Sequence, residues 1–185
     1  IVRPSHRVTG NRRDSVDGAG WETLFVAIDD HARLAFTAMH PDEKTEQAVR
    51  FLRNAVAYYA RLGVSVKRLL SDNGAAFRSR EFRRTCQELG IKHTFTRPYR
   101  PQTNGKAERF IQSALREWAY GWTYQNSEHR TQALASWQHH HNCHRPHSAK
   151  IGCQSTAHLC GRTLVRCTFG CLFGRLQLAT TRGRP

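Results

Sequence analysis

Residues 64–74 read VSVKRLLSDNG. The first seven form a short β-type run, apolar enough for a buried strand, and the run stops abruptly at Ser71-Asp72-Asn73-Gly74. A carboxylate at the C-terminal end of a strand sits where open α/β sheets gather their ligands. Asp-Asn-Gly is also good turn chemistry, so Asp72 alone decides nothing.

Working outward from that strand, regular elements appear on both sides. Trp21–Ile28 (WETLFVAI) and Arg33–His40 (RLAFTAMH) are β-type runs joined by Asp29-Asp30-His31-Ala32, the pattern of a hairpin. Pro41-Asp42-Glu43 opens a helix whose apolar positions (Ala48, Val49, Leu52, Ala55, Val56, Tyr59, Leu62) recur at helical spacing until Gly63 stops it. After the strand, Ser79 can cap a helix carrying Phe82, Cys86 and Leu89, with Gly90 as its stop. Ile91–Thr96 is another strand, and the two prolines of Arg97-Pro98-Tyr99-Arg100-Pro101 force a loop. A long helix is expected from Gln102 or Thr103 to Tyr120, with Ala107, Phe110, Ile111, Ala114, Leu115 and Trp118 on its apolar face, and another from Ser127 to His141. A hairpin followed by helix-linked strands implies a mixed sheet with helices on both faces.

The charge narrows the partner. Lysine and arginine number 29 against 14 acids, a net +15 with a pI near 10.5, and such a field favours a polyanion, most often nucleic acid. No run approaches the ~20 apolar residues of a membrane span. No basic-then-apolar leader precedes the first strand, and the only methionine is Met39, so the chain reads as part of a longer translation product. All 14 acids lie between Asp14 and Glu128, whereas five of the six cysteines (Cys143, Cys153, Cys160, Cys167, Cys171) fall after residue 128. The chain therefore divides into an irregular lead-in (1–20), a folded core (21–147) and a basic, cysteine-containing tail (148–185). Lacking acids and helix caps, the tail reads as out-of-frame or readthrough sequence and is expected to pack poorly on the core.

Glu108 stands in the long helix beside Lys106 and Arg109, where a glutamate could simply be solvated. Its distance from Asp72 changes that reading, because 35 residues separate the two acids. Their flanks read LLSDNGAAF (69–77) and RPYRPQTNGKAERFIQ (97–112), preceded by GWETLFVAIDDHARLAF (20–36) and closed by HHHNCHRPH (139–147). Together these resemble the D,D(35)E integrase core shared by retroviral integrases and many bacterial insertion-sequence transposases, over about two thirds of the chain.

The resemblance implies a ribonuclease-H-like fold, a mixed α/β sheet flanked by helices, and Mg²⁺- or Mn²⁺-dependent cleavage and strand transfer at transposon DNA ends. It assigns Asp72 and Glu108 as catalytic residues and metal ligands. Hard divalent cations prefer oxygen donors, which agrees with that assignment. The family's third carboxylate lies on a first strand that would precede Ile1, so the first strand is missing and the chain reads as a partial or decayed copy. Arg97, Tyr99, Arg100, Gln102, Asn104, Lys106 and Arg109 are candidates for contact with DNA, cations for phosphates and amides and tyrosine for bases or sugars. Arg78, Arg80, Arg83 and Arg84, and Arg12 and Arg13, are less specific basic clusters. The resemblance also implies DNA ends and target as partners, a homo-oligomer when intact, and a cytoplasmic, nucleoid-associated bacterial protein. Two other readings compete: a noncatalytic nucleic-acid-binding protein, and a zinc-dependent regulator using His139, His140, His141, Cys143, His144 and His147.

Overall fold

The structure is a computed structural model that describes residues 21–30, 32–96, 105–122, 124 and 126–145, together with the strands at 163–164, 167–171 and 176–177. The lead-in (1–20) and the loop 97–104 lie outside the described residues.

The hairpin forms as expected. β1 (Trp21–Asp29) and β2 (Ala35–His40) pair antiparallel, from Thr23 opposite His40 to Ile28 opposite Ala35. Asp29 holds the turn: its Oδ2 accepts the Ala32 N–H at 2.6 Å, and its backbone N–H donates to the Leu34 carbonyl at 2.9 Å. Arg33 adopts a φ of 59° to close the turn, a left-handed conformation uncommon outside glycine.

β1 alternates strictly between two cores, as the two-residue period of a strand requires. Phe25 and Ala27 face α1 (Thr45–Arg61), α2 (Ala75–Arg78) and α3 (Arg80–Glu88), where Phe51, Phe77 and Phe82 are buried. Leu24, Val26 and Ile28 face α4 (Gly105–Ala114), the π-helical turn Leu115–Ala119 and α5 (Ser127–Cys143), against Ala107, Phe110, Trp118 and Leu134. Helices thus cover both faces of the sheet. Ser79 caps α3, its hydroxyl accepting the Phe82 N–H at 3.2 Å. The single turn of α2, directly after Gly74, is an element the sequence pattern does not announce.

The strand expected at 64–70 forms as two pieces, β3 (Ser65–Val66) and β4 (Arg68–Ser71), and β4 pairs parallel with β5 (Lys92–Phe95). The main difference from expectation lies in the tail. Residues 163–164, 167–171 and 176–177 form β6, β7 and β8, and the main sheet runs β2-β1-β7-β4-β5. β7 (Cys167–Cys171) is its middle strand, antiparallel to β1 and parallel to β4. Residues 167–171, which the sequence reading puts in the tail after His147, pair with both β1 and β4. Pairing on both edges makes a central strand tolerant of a modest sequence.

The outer edge of β2 is closed by side chains. Asn142 on α5 accepts the Ala35 N–H at 2.9 Å and donates to the Ala35 carbonyl at 2.8 Å, while Gln138 accepts the Thr37 N–H at 2.8 Å. The buried Arg130 on α5 pairs with Glu22 of β1 at 2.7 Å. These contacts dock α5 across the hairpin. Replacing Asn142 by alanine leaves two buried backbone groups unpaired and should cost roughly 2–3 kcal/mol, to be read from the urea midpoint at unchanged slope.

Candidate active site

Asp72 is the first residue beyond β4, half-buried, and its backbone is held from several sides. Its Oδ1 accepts the Gly74 N–H at 2.9 Å, and Asn73 Nδ2 donates to the Thr96 carbonyl at 3.1 Å. The parallel ladder continues one step past β4, where the Thr96 N–H donates to the Ser71 carbonyl at 2.9 Å. A Cβ on residue 74 would stand 2.9 Å from Asp72 Oδ1, so only glycine leaves that carboxylate where it is.

Beneath Asp72 lies a small, partly buried polar chain. Ser71 Oγ donates to the Asp72 carbonyl at 3.0 Å and lies 2.8 Å from His93 Nε2. The hydroxyl has one hydrogen, so His93 donates through Nε2–H. Burial, with the nearby Arg83 adding to it, lowers the His93 pKa to about 4. The imidazole packs against Phe95 with ring centroids 4.5 Å apart and against Phe82 at 5.3 Å, and stays neutral at ordinary pH. No sequence pattern marks His93, because its partner lies on the neighbouring strand.

The register sets which face Asp72 occupies. Leu69 belongs to the core under α1–α3, and alternation along β4 places Ser71 with it and Leu70 and Asp72 on the other face. That face is covered by α4, which packs on β1 and β7 through Ala107 and Phe110. Glu108 is exposed in the first turn of α4. Asp72 and the helix of Glu108 thus share one face, with β7 the strand beside Asp72. The β1 register puts Gly170 opposite Val26, and one step beyond Ser71–Phe169 puts it beside Asp72, again on the α4 face. Position 170 carries no side chain.

Among the described residues no group of three His, Cys, Asp or Glu side chains could hold a metal ion. Asp72 and Glu108 are hard oxygen donors, and Mg²⁺ is commonly held by one or two carboxylates with water and substrate phosphate completing its shell. As a donor set the pair fits such an ion as a partial site. Asp29 is committed to its turn. Asp30 pairs with Arg33 at 3.8 Å and with Lys106, whose Nζ also donates to the Asp30 carbonyl at 3.0 Å. Lys106 is therefore a tethered cation, while Arg109 is exposed. Arg97, Tyr99, Arg100, Gln102 and Asn104, the other candidates for contact with DNA, lie outside the described residues. In the histidine tract His141 is a core residue, edge-on to Phe110 with ring centroids 4.7 Å apart, and His139, His140, Cys143 and His144 are exposed at the end of α5.

The sheet order and the helices on its two faces define a ribonuclease-H-like fold. Two solved structures share it: an intasome of simian T-cell lymphotropic virus in complex with PP2A regulatory subunit B56 gamma, and the catalytic core domain of BIV integrase. The first has a TM-score of 0.59 at 21% identity, covering 88% of this chain and 53% of that one. The second has a TM-score of 0.55 at 24% identity, covering 69% of this chain and 81% of that one. Two families, each described as an integrase core domain, match residues 11–101 and 89–152. The chain is similar to integrase core domains over these two stretches, which overlap at residues 89–101. Its similar relatives are polyproteins of mobile elements and viruses. The Pol polyprotein of transposon TNT 1-94 from Nicotiana tabacum is 53% identical over 47 residues, 25% of this chain and 4% of the relative. The Pro-Pol polyprotein of feline foamy virus is 34% identical over 92 residues, 49% of this chain and 7% of the relative. The Tf2-3 polyprotein of Schizosaccharomyces pombe is 29% identical over 99 residues, 52% of this chain and 7% of the relative. The chain thus spans less than a tenth of the length of these relatives.

The half-buried His93 links stability to pH. Its folded pKa of about 4 lies below the ordinary 6.5, so the unfolded chain binds the extra proton between those values. Its contribution is complete above pH 6.5 and is lost as pH falls towards 4. His40 is shifted the same way, so the comparison must be made with a variant. A His93→Gln chain should lose less stability than the parent between pH 7 and pH 4, measured by urea unfolding across that range.

Proposed function

We propose that this chain is the DNA-processing core of a mobile element's integrase or transposase, of the bacterial insertion-sequence type that its Pro98–Phe110 block resembles. In this reading it joins DNA ends to a target by metal-dependent phosphoryl transfer, acts on the nucleoid in the bacterial cytoplasm, and works as a homo-oligomer. What carries the reading is Asp72, fixed at a strand end on the face covered by the helix of Glu108, with 35 residues between the two acids.

The chain's own residues would do three things. Asp72 and Glu108 would hold the divalent cations, Mg²⁺ or Mn²⁺, whose charge when bound would stabilise the attacking and leaving oxygens. Gly74, Asn73 and the Ser71–His93 pair would hold Asp72 still, so that little reorganisation accompanies the reaction. Arg109 and the basic loop before it would grip the phosphate backbone without reading sequence. An oxygen nucleophile then bonds to phosphorus as the opposite P–O bond breaks, and no covalent enzyme intermediate forms.

With two carboxylates the site binds metal weakly, which favours DNA binding over chemistry in the chain as it stands. Gly170 gives the test, because its register position lies beside Asp72 on the α4 face. The parent chain should show little Mg²⁺-dependent nicking of supercoiled plasmid and weak Mn²⁺ binding by calorimetry. Gly170→Asp should tighten Mn²⁺ binding and bring nicking, and adding Glu108→Gln should abolish the gain while keeping the fold. A well-folded Gly170→Asp chain with unchanged Mn²⁺ affinity would count against the assignment of Asp72 and Glu108.

Duplex binding should fall steeply with salt, as counterion release requires. Arg109→Ala should weaken it for all sequences alike and flatten the log–log salt slope by about 1, whereas Lys106→Ala, which removes a cation already paired with Asp30, should change the slope less. Fluorescence anisotropy across a salt series checks both.

A further inference from the structure

The histidine tract at the end of α5 sorts itself once its side chains are placed. His141 belongs to the core, edge-on to Phe110. His140 and His144 stack on each other, with ring centroids 5.7 Å apart and planes 27° from parallel. His139 and Cys143 form a different pair. Both are exposed, they stand four residues apart on one helix face, and Cys143 Sγ lies 3.7 Å from His139 Nδ1.

A thiol can donate a weak hydrogen bond across that distance. It is also the distance that two ligands of one zinc ion keep. With Zn–S of ~2.3 Å and Zn–N of ~2.05 Å at a tetrahedral angle, sulfur and nitrogen stand roughly 3.6 Å apart. The pair is therefore already at chelating distance. Two donors alone make a weak site, and among the described residues no group of three is assembled. A structural zinc ion takes four.

The surroundings suit both a cation and a second helix. Cys143 is the last residue of α5, at the negative end of the helix dipole. Arg145, two residues on, is spent on Glu117, its Nη1 lying 2.9 Å from each carboxylate oxygen. In the turn before His139, Ala135 and Ser136 are exposed and short, which leaves room for another helix to approach.

We propose that His139 and Cys143 are half of a soft-cation site, completed by the same pair from a second copy of this chain to give a Cys₂His₂ shell for Zn²⁺. Thiolate and imidazole select zinc over magnesium. The two thiolates balance the charge of the ion, and each thiol proton passes to water on binding. A site on a twofold axis uses the same residues of both copies and leaves no ligand over, so assembly through it closes at two chains. The site uses neither Asp72 nor Glu108, so it stands or falls apart from the proposed DNA chemistry.

Co²⁺ is the probe, because a tetrahedral, thiolate-bound cobalt ion absorbs by charge transfer in the near ultraviolet and by d–d transitions in the visible. Titrated into the reduced full chain, it should saturate at one ion per two chains, and Zn²⁺ should displace it. Sedimentation should show a pair of chains that forms with the ion and dissolves in EDTA. Cys143→Ser should lose the charge-transfer band, and His139→Ala should weaken binding roughly tenfold or more. Glu108→Gln should bind as the parent does. Both substituted α5 positions are exposed, so the variants should keep the parent's far-UV circular dichroism. A charge-transfer band retained in Cys143→Ser would put the thiolate elsewhere and overturn the proposal. So would saturation at one ion per chain, a pair that EDTA leaves intact, or no cobalt bound at all.

Discussion

Two strands that face each other across a gap in the middle of a sheet present rows of N–H and C=O groups that cannot stay unpaired in a core. Between β1 and β4 those rows are paired by residues 167–171, and most of the architecture follows from that pairing. It joins the antiparallel hairpin half of the sheet to the parallel half. It gives α4 a floor to lie on, and it puts that helix on the face that Asp72 occupies. A chain that stopped after α5 would keep both hydrophobic clusters in its sequence but would have no continuous sheet to separate them.

What the sequence reveals follows how local the physics is. The hairpin, α1 and α3 are written in alternation, helical spacing and the Ser79 cap; α1 starts at Thr45, later than the Pro41–Glu43 opening expected, and the others form within about two residues of their expected ends. Asp72 and Glu108 are legible through spacing and flanks, and the register brings Asp72 and α4 to one face. The tail strand is not legible. Cys-Thr-Phe-Gly-Cys has no pattern of its own, and only the open place between two distant strands makes it a strand. The same holds for Asn142 against Ala35, Arg130 against Glu22 and Lys106 against Asp30, contacts that span 107, 108 and 76 residues of chain.

Lys106 shows how a local reading misjudges charge. As one cation of a basic helix turn it looks like a phosphate contact, yet the fold hands it to Asp30 at the hairpin turn, so it locks α4 to β1. Arg109, one turn of helix further, is exposed. Ser71 and His93 make the complementary point, since neither would be chosen from sequence and both sit directly under Asp72. A neutral histidine there orders the strand end without adding positive charge beside the carboxylate.

The amides of Gln138 and Asn142 have a consequence beyond the docking of α5. By occupying the N–H and C=O of Ala35 and the N–H of Thr37 they withdraw those groups of β2 from pairing with another chain. At the opposite side β5 is four residues long and, among the described residues, pairs only with β4. Ala35 and Thr37, by contrast, enter no ladder with a further strand: their outward groups are already spent on α5.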